Sequence, residues 1–94
     1  MTVKMGFKTF KVEKPLEMGN YYGEADYDKS IIKIADRYDN HSKNCTFIHE
    51  ILHCICLRFG LEKLNNDEHA IDLLATGIYE AMIDNPHIFT MQNI

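Results

Sequence analysis

The sequence predicts an α+β domain, a small three-stranded antiparallel sheet packed on two main helices. Three observations carry that expectation: strand-like alternation is confined to the first third, two runs of helical apolar spacing fill the second half, and the connections are short. A chain of 94 residues supports one modest core, so residues 1–94 are read as a single domain.

The first strand lies in "FKTFKVEK", where Phe10 and Val12 alternate with Lys11 and Glu13 until Pro15 closes the run. "YYGEADYDKSIIKIADRY" reads as a hairpin, with a strand around Gly23 to Asp26, a polar turn over Tyr27 to Lys29, and a second strand carrying Ile32 and Ile34 on one face. Ile31 on the other face points to partial cover there. The sheet is expected over about 5–36, antiparallel because its connections are short. The first helix is expected over about 42–59: Ile48, Ile51, Leu52, Ile55 and Phe59 make a core-facing stripe, and Gly60 stops it. "LEKLNND" reads as a polar connection in which Asn65 or Asn66 caps a second helix over about 66–84. There Ile71, Leu74, Ala75, Ile78 and Met82 repeat the stripe, and "DNP" ends it. Two matching stripes joined by a few residues should lie side by side on the sheet.

Hydrophobic residues at 46% and charged ones at 26% fit a folded protein rather than a disordered one. The net charge of −4 leaves no basic footprint, so neither nucleic acid nor an anionic membrane is expected as a partner. No apolar run approaches the roughly 18 residues of a membrane span, and "MTVKMGFKTFKVEK" lacks the apolar core of a signal peptide. The expected compartment is the cytoplasm. Three cysteines agree with it: the number is odd, and Cys54 and Cys56 diverge by about 200° on a helix, which favours reduced thiols over a disulfide framework. No feature fixes an oligomeric state.

The chemistry concentrates in "FIHEILHCICLRFG". In "HEILH", His49 and His53 stand one helical turn apart, with Cβ atoms roughly 5–6 Å from each other, so two imidazoles can meet one ion. Glu50 lies about 100° around the helix from His49, poorly placed as a ligand but near enough to hydrogen-bond a water at the metal. The competing reading, two polar positions on an amphipathic helix, is disfavoured by the coherent register around the motif. A cysteine site fails on length, because Cys45 and Cys56 are roughly 16 Å apart along the axis. All three thiols are expected to stay off the metal.

A catalytic zinc needs a third protein ligand. Glu68 and Asp72 share one face of the second helix, which suits Glu68 as ligand and Asp72 as hydrogen-bond acceptor for a ligating histidine. Glu68 could also be a capping-box acid answering Asn65. His69 is the competing third ligand, about 100° around the helix from Glu68, and helix packing decides between them.

From about Phe10 to Pro86 the chain, with HExxH followed by ExxxD, resembles the gluzincin arrangement. Its short sheet, "HEILH" helix, "FGLE" turn and following helix resemble the ImmA/IrrE-type minimal metallopeptidases, especially short phage- and prophage-encoded members. It departs from them at Ile71 and Asp72, where a small residue and an asparagine are usual, and in its "DNP" ending. The resemblance implies a minimal zincin architecture in a bacterial or phage-infected cell, with zinc held by His49, His53 and Glu68 and catalysis by Glu50. It also implies a protein substrate of the kind represented by repressors of mobile elements.

The expected activity is peptide-bond hydrolysis, with Glu50 as general base. Tyr79, His69 and His41 are candidates to stabilise the oxyanion, and the strand around Ser30 to Ala35 is a candidate to border the cleft and pair with an extended substrate. A catalytically silent zinc-binding interaction module, acting as antirepressor or decoy, is the alternative. A structural four-ligand site is another. Neither needs a carboxylate at position 50.

Overall fold

The computed structural model describes residues 1–89. It has four strands, β1 (Thr2–Met5), β2 (Lys8–Glu13), β3 (Gly23–Asp26) and β4 (Ile31–Ile34), then three helices, α1 (Asn40–Phe59), α2 (Glu62–Asn65) and α3 (Glu68–Asp84). The class is α+β, as expected. The sheet differs from expectation in size and sense, being four-stranded and mixed in the order β1-β2-β4-β3.

The additional strand, β1, pairs antiparallel with β2 across a tight turn, where Gly6 has φ of 62°. Gly6 is the first central position of that turn, a place that favours glycine. Val3 and Met5 of β1 pack against the core while Thr2 and Lys4 face solvent. Strands β2 and β4 run parallel, with Lys11 opposite Ile31 and Glu13 opposite Lys33. Short connections do not force an all-antiparallel sheet here, because β3 itself lies inside the crossover from β2 to β4. Pro15 and Leu16 accept the backbone N–H groups of Asp36 and Arg37, so the chain leaving β2 passes beside the end of β4. It then returns as β3 at the sheet edge, antiparallel to β4.

One face of the sheet meets α1. Phe10, Val12, Ile32, Ile34 and Cys54 are buried together, with Ala25, Tyr27, Phe47 and Ile51 packed around them. The expected stripe on α1 is only partly core: Ile51 joins the cluster, whereas Phe59 is exposed. Asp39 caps α1 by accepting the Ser42 N–H at 2.8 Å, and Gly60 closes it at φ of 69°, donating its N–H to the Cys56 carbonyl.

The short polar connection contains the single-turn helix α2. Asp67, rather than Asn65 or Asn66, caps α3 by accepting the Ala70 N–H at 3.0 Å. Helix α3 packs on α1 and α2 and not on the sheet, so the side-by-side arrangement is replaced by α3 resting on α1. Ile71 and Ala75 are buried by that contact, while Leu74, Ile78 and Met82 stay exposed because no second layer covers them. Among the described residues, no helix is long and apolar enough to cross a membrane.

Candidate metal centre

Helix α1 carries His49 and His53 one turn apart, with Nε2 atoms 3.2 Å from each other. The left-handed residue Gly60 and the one-turn helix α2 reverse the chain, so the first residue of α3 comes back opposite that pair. This residue is Glu68. Its carboxylate oxygens lie 3.1 Å from His49 Nε2 and 2.8 Å from His53 Nε2. One ligand atom from each of the three side chains falls within 4.8 Å of the others, a group that could hold a metal ion.

The far sides of both rings are also engaged. His49 Nδ1 is 2.7 Å from Asp72 Oδ1, and His53 Nδ1 is 2.8 Å from Asn65 Oδ1. Carboxylate and amide oxygens accept and never donate, so each Nδ1 bears the proton. In neutral imidazoles both Nε2 lone pairs then point, together with the Glu68 carboxylate, at one place. Three such acceptors repel one another unless a proton or a metal cation sits among them, and two imidazole nitrogens with one carboxylate are a donor set that fits a metal ion. His69 is exposed and does not line the cleft, which leaves Glu68 as the residue that helix packing brings to the histidines.

Glu50 is 7 % exposed and its Oε2 is 3.9 Å from His49 Nε2. Burial pushes its carboxyl above the usual range; the neighbouring His49 and His53 oppose this and the Glu68 and Glu24 charges add to it. Gly23 of β3 makes the burial possible. A Cβ there would lie 2.6 Å from Thr46 Cγ2, 2.9 Å from the Lys33 carbonyl oxygen and 3.4 Å from Glu50 Cγ, so only bare backbone lets the strand come this close.

The centre opens into a cleft of about 660 Å³ between β3 with residues 20–22, α1 and α3. The strand bordering it is β3, the sheet edge, and not the one around Ser30 to Ala35, which forms the interior strand β4. No family model, curated protein or solved structure matches this chain.

All three oxyanion candidates lie outside the cleft lining: His69 is exposed on α3, and His41 Nδ1 and the Tyr79 hydroxyl are 2.5 Å apart, tying α1 to α3. No cysteine belongs to the metal group. Cys45 lines the cleft, Cys56 is buried, and Cys54 is buried in the core, where its thiol is pushed up to about 11 by burial and then by the Glu50 charge. Asn65, expected only as a helix cap, is the neighbour of the candidate group that sequence reasoning missed. Only the presence of α2, too short to leave a periodic signal, turns its side chain towards His53.

Proposed function

We propose that the protein is a zinc-dependent metallopeptidase that hydrolyses a peptide bond in an extended segment of an intracellular protein, with repressor-type regulators of mobile elements as the substrate class the motifs suggest. The observation that carries this reading is the convergence of His49 Nε2, His53 Nε2 and the Glu68 carboxylate beside a buried, unligating Glu50. Two imidazoles and one carboxylate are the donor set of open catalytic zinc sites. Zinc held by them supplies Lewis acidity, which acidifies water and polarises a carbonyl.

The chain's own residues do the rest. Asp72 and Asn65 fix the two imidazoles in the tautomer that presents Nε2. Glu50 receives the proton of the attacking water at its carboxylate and delivers it to the leaving amine, a task suited by a carboxyl whose proton affinity is raised by burial. Strand β3, as the sheet edge along the cleft, offers main-chain groups with which an extended substrate can pair.

Glu50→Gln separates binding from chemistry. Zinc content should stay at the wild-type level while cleavage of an unfolded test protein falls by about 10²–10⁴-fold. As bait in host lysate, the variant should retain a protein that the wild type cuts. If zinc-loaded wild type leaves both the retained partner and unfolded proteins intact, the silent binding module replaces this reading.

A further inference from the structure

The cleft has a one-sided electrostatic character. Glu24, Glu50, Glu68 and Asp72 contribute to its lining, and among the described residues no lysine or arginine does. Four carboxylates outnumber the two positive charges of a zinc ion, and the imidazoles are neutral when they ligate. Of the nearby cations, Lys43 pairs with Asp36 at 2.9 Å and Arg37 lies 3.5 Å from Glu17, while Lys33 stands opposite Glu24 in the β3–β4 register and offsets part of its charge.

One lip is aromatic as well. Tyr21 and Tyr22 are 71 % and 56 % exposed beside the edge strand. Tyr22 stacks on Tyr38 with ring centroids 4.4 Å apart, and the Arg37 guanidinium sits 4.7 Å from the Tyr38 centroid. The same group of tyrosines thus already holds one cation over a ring face. Open aromatic faces bordering a carboxylate-rich groove are the chemistry that recognises an ammonium or guanidinium group.

We infer that the cleft selects segments bearing lysine or arginine, the basic side chain lying against Tyr21 and Tyr22 while the acidic lining attracts it and repels acidic segments. The cleavage arm of this inference rests on the hydrolase reading; the binding arm does not. Tyr21 and Tyr22 are its specificity-determining residues, and Glu24, opposite Lys33, makes a smaller contribution. Like charges brought together in a partly desolvated groove are costly, so exclusion of acidic segments contributes as much as attraction of basic ones.

The test uses two fluorescent peptides with the same unstructured frame, one carrying two lysines and the other two glutamates. Their affinities are measured by anisotropy on zinc-loaded Glu50→Gln protein, and their cleavage is followed with wild type. The lysine peptide should bind at least about 10-fold more tightly at low salt, and the gap should contract sharply near 0.5 M salt, where the screening length falls to a few ångströms. Tyr22→Leu should narrow the gap by about 2–5-fold through loss of a ring face, and Glu24→Gln should narrow it in low salt only. Unchanged melting temperatures identify those effects as recognition rather than unfolding. Equal or reversed affinities for the two peptides overturn the inference, whether or not either is cut. Selective binding without any cleavage upholds it and overturns the hydrolase reading. Absence of both binding and cleavage overturns both.

Discussion

Helix α1 has two working sides that differ in kind. Towards the sheet it contributes Phe47, Ile51 and Cys54 to a dry cluster around Phe10, Val12, Ile32 and Ile34. Towards α3 it presents His49 and His53, which meet Glu68 and Asp72, side chains that remain 65 % and 67 % exposed. Apolar burial holds the first contact and needs no ligand. The second buries only Ile71 and Ala75 from α3 and depends for the rest on polar groups that a cation would draw together. The fold is therefore anchored on one side of the helix and left adjustable on the other, where the candidate metal group lies.

The two sides of α1 differ most in what the core contributes to stability. Phe10→Ala should cost about 3–5 kcal/mol, a large share of the stability of a domain this size, and chemical denaturation should show it with or without zinc. Zinc should act on the other side: at about 100 times its Kd it should add about 2.7 kcal/mol, and amide exchange should slow most in α3 and least in β2 and β4. Equal slowing throughout would mean that the two contacts form one cooperative unit. Asp72→Ala and Asn65→Ala should each weaken zinc by about 10–100-fold while leaving the denaturation of the metal-free protein nearly unchanged. His69→Ala should leave zinc affinity as it is, whereas Glu68→Ala should reduce it strongly.

Glu50 sharpens the same contrast through pH. Its proton affinity is raised in the fold, chiefly by burial, so its contribution to stability is fully present below the ordinary value of 4.5 and is lost as pH rises through the higher folded value. Metal-free Glu50→Gln should accordingly melt higher than wild type at neutral pH, with the difference closing below about 4.5. A difference constant across that range would show that shape, not charge, governs the position.

The sheet–α1 side was legible where signals are local. The alternation at Phe10 and Val12 and at Ile32 and Ile34 marks β2 and β4, and Gly60 marks the end of α1. Strand order was not, since parallel pairing of β2 with β4 depends on the path of residues 14–22 and not on any pattern inside the strands. Strand β1 has its alternation in Val3 and Met5, and Gly6 marks its turn, yet four residues make a weak period. On the α3 side, the spacing of His49, His53, Glu68 and Asp72 brought the metal group within reach of sequence reasoning. Asn65 was hidden behind α2, and the edge position of β3 behind the crossover. The stripe through Leu74, Ile78 and Met82 misled because apolar periodicity reports a helix face able to be buried, while α3 has only other helices to bury it against.

Zinc X-ray absorption on the reconstituted protein at neutral pH reads the proposed ligand set itself. A single bound zinc should show two imidazole nitrogens at about 2.0–2.1 Å, carboxylate and water oxygens at about 2.0–2.2 Å, and no sulfur, with the carboxylate contribution lost in Glu68→Ala. A sulfur shell at about 2.3 Å, or a reconstituted protein that retains no zinc, would contradict the assignment of His49, His53 and Glu68.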